Sequence, residues 1–134
     1  MPTDKLEIVI DDMDEFVGRE IGKLALEIQA TLIEFTPIDL GWARANYVPK
    51  INAPYRENLS IVEPSAGASA GRASQNQGEL FRLAVSYRAD HGPFYISNNV
   101  PYIGRLNDGH SPQAPAGFVQ LAINTAISKR SSGI

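Results

Sequence analysis

Asp12-Met13-Asp14-Glu15-Phe16-Val17-Gly18-Arg19-Glu20-Ile21-Gly22-Lys23-Leu24-Ala25-Leu26-Glu27-Ile28-Gln29-Ala30-Thr31-Leu32-Ile33-Glu34-Phe35 is the stretch on which the fold turns. Its apolar positions Phe16, Val17, Ile21, Leu24, Ala25, Ile28, Leu32 and Phe35 recur at steps of three and four, with Glu20, Lys23, Glu27 and Glu34 between them. That period is the signature of an amphipathic helix, and it predicts one long helix over about 12–35. Asp11 or Asp12 can cap its start, and the acidic first turn complements the helix dipole. Gly18 and Gly22 lie on one face, four residues apart, and each costs about 1 kcal/mol relative to alanine. Either a neighbouring element or subunit approaches closely there, or the glycines are merely tolerated in a long helix. Pro37 ends the helix, because the residue before a proline, here Thr36, is driven out of the α region.

Upstream, residues 4–10 alternate partly between polar and apolar and end in a β-branched cluster, which suggests a short strand or an extended arm over 1–10. Downstream, residues 37–41 read as a tight turn in which Asp39 bonds nearby backbone N–H groups and Gly41 is free to take positive φ. Residues 42–51 suggest a strand that Pro49 confines to an edge or terminates. Residues 64–78 hold a single charge and no large apolar side chain, so they are expected to form a long mobile loop, or a segment that orders only on a partner. A second helix is predicted over 79–89, broken by Gly92-Pro93, then a strand over 94–97, a helical turn over 102–106 and a C-terminal helix over 118–128. This order gives an α+β fold: a long N-terminal helix and a C-terminal helix packed on a small, mainly antiparallel β-sheet, in a single domain spanning 1–134.

Composition narrows the function classes. The chain has no cysteine, which excludes disulfides and thiolate metal sites. Its longest apolar runs fall far short of the roughly 18 residues of a membrane span, and its acidic N-terminal region is the opposite of a signal-peptide n-region. A chain that is soluble and intracellular when made, with no membrane partner, is therefore expected. A formal net charge of −3, with dispersed Lys and Arg, argues against a dedicated DNA binder, since phosphate neutralisation needs clustered cations. Contact with passing DNA remains compatible with it.

Catalytic patterns fail on mechanism. Gly109-His110-Ser111-Pro112-Gln113 begins like the nucleophile elbow of serine hydrolases, but Gln113 replaces the second glycine. Proline follows the serine where an oxyanion-hole N–H is needed, and proline has none. His91 and His110, with Asp90 and Asp108 beside them, match no zinc spacing. Asp11, Asp12, Asp14 and Glu15 lack the glycine and distal glutamate of a calcium loop. The glycines of 67–78 are not followed by the Lys-Ser/Thr of a phosphate loop. Catalytic residues, metal and cofactor are all expected to be none. What remains is a set of aromatics (Trp42, Tyr47, Tyr55, Tyr95, Tyr102) and arginines (Arg44, Arg56, Arg105), residue types enriched at protein interfaces. Trp42, Tyr95 and Tyr102 serve equally well as core, and Asn98-Asn99 reads as a turn before a binding pair.

Three motifs in this order resemble the tail-component family of tailed bacteriophages that includes the minor tail protein Z of lambdoid phages. The first is the long helix running into Thr36-Pro37-Ile38-Asp39-Leu40-Gly41 and Arg44-Ala45-Asn46. The second is Ile96-Ser97-Asn98-Asn99-Val100-Pro101-Tyr102. The third is Asn107-Asp108-Gly109-His110-Ser111 with Gln113-Ala114-Pro115-Ala116-Gly117-Phe118-Val119 leading the last helix. The resemblance spans nearly the whole chain and departs from the family at Leu40, Tyr47 and Asn107-Asp108. It implies a virion protein of the neck, a tail-completion protein joining the proximal end of the tail to the head as a homo-oligomeric ring, hexameric by expectation, around the DNA channel. Implied partners are the tail tube or tail terminator protein and the head connector or stopper protein, with DNA only as passing cargo. Interface residues are then expected among Thr36, Asp39, Gly41, Trp42, Arg44, Asn46, Arg72, Asn98, Asn99, Tyr102, Arg105, His110 and Gln113, with Asp39 and Arg44 paired across the turn. The alternatives are a tail terminator, a capsid-side connector component, or, from another class, a small hydrolase using Ser111 and His110.

Overall fold

The computed structural model describes residues 5–37, 42–57, 66–109 and 116–132. Its elements are α1 (Lys5–Phe35), α2 (Trp42–Ala45), β1 (Val48–Ile51), α3 (Ala66–Ser86), a 3-10 turn at Ala89–His91, β2 (Phe94–Ser97), α4 (Ile103–Asn107) and α5 (Phe118–Ser132). The α+β architecture read from the sequence is present: a long N-terminal helix, a C-terminal helix and one small antiparallel sheet.

α1 is the spine. Gly22 faces Ala84 of α3 so closely that a Cβ there would sit 2.6 Å from the Ala84 carbonyl oxygen, and a Cβ on Gly18 would overlap the Tyr87 carbonyl oxygen. The glycines are therefore a close-approach face, where backbone meets backbone. These pairs make α3 antiparallel to α1. α5 is antiparallel to α1 as well, since Val119 and Ala122 pack near Leu32 while Arg130 reaches Glu20 at 2.6 Å. Leu32, Tyr47 and Ala122 form the centre of a core completed by Ile28, Ile33, Phe35, Ile96 and Val119. The core thus lies around the C-terminal half of α1.

β1 and β2 pair antiparallel, with Val48 opposite Ser97 and Ile51 opposite Phe94. The pair is not a hairpin, because α3 intervenes in the chain. Each strand of a two-stranded sheet is an edge, so Pro49, which has no N–H to donate, is accommodated opposite Ile96. The ladder is extended by Asn52 N–H donating to Pro93 O at 2.8 Å, with Asn52 in the left-handed region at φ 76°, a conformation that asparagine tolerates better than most residues.

Three expectations need correction. Residues 5–10 are helical, so the strand or arm over 1–10 is not formed there, and Asp11 and Asp12 lie inside α1. Short apolar runs fit either period, and extending an existing helix costs far less than starting one. Residues 42–51 are divided: 42–45 are helical and only Val48–Ile51 is strand. Residues 66–78 are not a loop but the first half of α3. Its Ala, Arg and Gln are good helix formers, and Asn76 is buried, anchoring a segment that has little apolar surface. The helix expected over 79–89 is the second half of α3 and ends at Ser86, and α5 continues to Ser132.

Candidate functional site

The first two of the three sequence motifs converge on a joint where α1, α2, α3 and the end of β2 meet. A helix leaves its last carbonyls without partners, and here Arg44 of α2 fills two of those positions, at Glu34 and Thr36. Thr36 donates through its hydroxyl to Leu32 O. Its one hydroxyl proton is thereby committed, so the Tyr47 phenol donates to Thr36 Oγ1 at 2.6 Å. Arg44 donates from Nε to Thr36 O at 2.9 Å and from Nη2 to Glu34 O at 3.0 Å. A cation at a helix C-terminus also meets the negative end of the dipole. The identified partners of Arg44 are these carbonyls; Asp39 lies outside the described residues.

The short helix α2 is closed in the same way. Asn98 donates from Nδ2 to Ala43 O at 2.9 Å and accepts Val100 N–H at 3.1 Å. Asn76 of α3 donates to Ala45 O at 2.7 Å, and Arg72 donates to Asn46 Oδ1 at 3.1 Å. Asn99 donates to the carbonyls of Tyr55 and Glu57, both at 3.0 Å, so the Asn98-Asn99 pair laces β2 to α2 and to the segment after β1, and the turn itself falls at Pro101-Tyr102. Gln29, 3% exposed, donates to Tyr47 O at 3.1 Å. Burial is the main influence on Tyr47 and raises its pKa above the ordinary tyrosine value, against the smaller opposing effects of the Thr36 and Asn98 side chains and the Arg44 charge.

The third motif does a related task at the start of α5, which packs near the same end of α1. Asn107 accepts Val119 N–H on Oδ1 at 3.0 Å and donates to Gln120 Oε1 at 3.1 Å, which caps α5 from outside its own chain segment. Gly109 and Gly117 take φ 95° and 78°, the left-handed conformation in which glycine carries no Cβ penalty.

Of the residues expected at an interface, the structure brings Thr36, Arg44, Asn46, Arg72, Asn98 and Asn99 together. Thr36 and Asn46 are each 2% exposed, so they hold the joint from inside. Trp42 opens α2, Tyr102 is half-buried ahead of α4, and Arg105 is exposed on α4. Gly41, His110, Ser111 and Gln113 lie outside the described residues. His91 accepts Arg88 N–H on Nδ1 at 3.2 Å and packs edge-on against Tyr87. Among the described residues no group of three or more His, Asp or Glu side chains converges, and no helix is long and apolar enough to cross a membrane.

Two surfaces were not read from the sequence. One is the first part of α1: residues 5–17 are exposed apart from half-buried Asp14, and they carry Leu6, Ile8, Val9, Ile10, Met13, Phe16 and Val17 as large exposed apolar side chains. Towards the end of α5, Arg130 meets Glu20 of α1 at 2.6 Å, and the Arg88–Asp11 ion pair at 2.6 Å ties the middle of this stretch to the 3-10 turn. The other is an apolar groove of about 440 Å³ between α1, β2, α4 and α5, walled by Ile21, Leu24, Ile28, Phe94, Ile96, Ile103, Val119 and Ile123, with Tyr47 and Asn98 at its side. The periodicity that marks α1 was the available signal for the first surface; the groove arises from residues far apart in sequence. No protein-family model, no curated protein sequence and no solved structure matches this chain.

Proposed function

We propose that this chain is an assembly protein, and specifically a neck or tail-completion protein of a tailed bacteriophage that forms a homo-oligomeric ring joining the tail tube to the head connector. The observation that carries the assembly reading is the exposed apolar face on the first three turns and more of α1. Soluble proteins seldom leave contiguous apolar surface on one rigid element unless another surface covers it. The joint supports the same reading, because it spends its arginine, asparagine and hydroxyl groups on helix ends and so fixes the geometry of a scaffold. The phage assignment is supported by the three sequence motifs, whose described residues lie at the joint and at the start of α5.

The test is to purify the protein, determine its native mass over a concentration series, and repeat the measurement with the tail tube protein encoded alongside it, viewing the mixture by negative-stain electron microscopy. A closed ring seated on one end of the tube is the expected result. A concentration-independent monomer indifferent to the tube overturns the proposal. Ser111→Ala separates the hydrolase class, since the substitution leaves ring formation unchanged in a joining protein.

A further inference from the structure

We infer that the exposed apolar face at the start of α1 docks against an apolar surface, bordered by lysine and arginine side chains, on a protein other than this chain. The inference deepens the assembly reading and rests on it. Leu6, Val9, Ile10, Met13, Phe16 and Val17 fall within about 120° of one side of the helix at 3.6 residues per turn, and each is at least 38% exposed. The opposite side meets the body of the molecule, through Gly18 against the Tyr87 carbonyl and Asp11 against Arg88. The stripe therefore points away from the body, on a helix braced from behind. It stops at Glu20, which lies on the same side and is held by Lys23 at 3.6 Å and Arg130 at 2.6 Å. The result is about 20 Å of helix with Leu6, Ile10, Met13 and Val17 at steps of four, three and four, the spacing by which a helix seats itself in a groove.

The charge around the stripe selects the partner. Residues 5–17 carry Glu7, Asp11, Asp12, Asp14 and Glu15 against Lys5. The other cations at this part of α1 are already paired: Arg88 with Asp11 and Asp90, Arg19 with Glu15, and both Lys23 and Arg130 with Glu20. Among the described residues Glu7, Asp12, Asp14 and Lys5 form no ion pair. By helix position Glu7 and Asp14 border the stripe on one side, and Asp12 with Lys5 on the other. The excess is acidic, so a covering surface with cations at its rim gains attraction and steering.

Other occupants fit that charge less well. A second copy's stripe brings the same carboxylates against these, and like charges repel. The groove of a second copy is walled by α1, whose Glu20, Glu27 and Glu34 deny it a cationic border on that side. Helices that lie in a bilayer surface carry lysine and arginine on their polar face, matched to neutral or anionic headgroups. Nucleic acid is polyanionic.

The full chain is titrated with two labelled amphipathic helical peptides, one of leucine and lysine and one with glutamate in place of every lysine, and binding is read by fluorescence anisotropy. Thermal unfolding first shows each variant folded. The leucine-lysine peptide is expected to bind, and the leucine-glutamate peptide at least about tenfold more weakly. Met13→Asp, at a position 59% exposed, adds a negative charge but removes an apolar anchor, and it is expected to weaken leucine-lysine binding at least about tenfold. Ile10→Ser, which changes no charge, weakens it in the same direction. Binding that Met13→Asp strengthens or leaves unchanged rests on charge alone and overturns the inference. Equal binding of the two peptides overturns it too, as does tighter binding to phosphatidylcholine vesicles. Self-association of the chain alone that Met13→Asp abolishes assigns the stripe to a second copy, which overturns the inference while the assembly reading stands. The expected peptide binding by a protein that never caps tail tubes upholds the inference and defeats the phage assignment.

Discussion

At Gly18 and Gly22 two opposing effects of alanine can be weighed. Replacing an interior helical glycine gains about 1 kcal/mol of helix propensity, but a Cβ at Gly22 would stand 2.6 Å from a backbone oxygen of α3, and backbone cannot rotate aside as a side chain can. Overpacking of this kind costs about 1–3 kcal/mol. Gly18→Ala and Gly22→Ala are therefore expected to lower the urea midpoint, whereas Gly71→Ala and Gly78→Ala, where nothing lies within 4 Å, raise it by roughly 0.5–1 kcal/mol equivalent. Equal effects at all four sites would show that α1 and α3 do not approach as described. Arg44 belongs to the same scale: its bonds to Thr36 O and Glu34 O make it a clamp on the end of α1, so charge reversal there acts on the fold before it acts on any partner.

α3 shows what an element can hide. Arg72, Asn76, Leu80, Ala84 and Tyr87 step by four, four, four and three, and so lie along one face. Asn76, Leu80, Ala84 and Tyr87 are buried. The first part of that face is polar, and its contacts are hydrogen bonds to α2 and Asn46. Counting apolar side chains therefore misses a helix that is anchored through amides. Asn76→Ala leaves the Ala45 carbonyl without its identified side-chain donor, at a cost of about 1–3 kcal/mol. Amide hydrogen exchange is expected to accelerate over 70–78 while that of 80–86 changes little, because Leu80, Ala84 and the α1 glycines hold the second half. Uniform acceleration along α3 would show instead that the helix opens as one unit.

For the whole molecule, the joint links stability to pH. Burial raises the Tyr47 pKa in the folded chain above its ordinary value of about 10. The folded state then holds that proton more tightly than the unfolded chain does, so the associated stability is present in full below about pH 10 and is lost as pH rises through the folded value. Burial raises Tyr87 in the same direction. The protein is expected to unfold at progressively lower temperature above about pH 10. Tyr47→Phe, which costs about 1 kcal/mol at neutral pH through the lost phenol bond to Thr36, is expected to flatten that alkaline slope. An unchanged slope would assign it to other groups.

Local rules determined much from the sequence alone. The three-and-four period wrote α1, the proline at 37 stopped it at Phe35, Gly92-Pro93 separated α3 from β2, and Phe94–Ser97 was marked as a strand. The sequence places a turn at Asn98-Asn99, whereas the structure puts it further on, at Pro101-Tyr102, with Asn98 bonding the neighbouring Val100 N–H. These features depend on interactions within a few residues, which a linear pattern records. Tertiary structure decided the rest: that 66–78 is helical, that Gly18 and Gly22 admit α3, that Arg44 and Asn76 cap helices to which they do not belong, and that a groove opens between β2, α4 and α5. Each of those depends on which distant backbone carbonyl or apolar face meets the segment in space, and the free energy that settles it comes from partners that no local pattern contains.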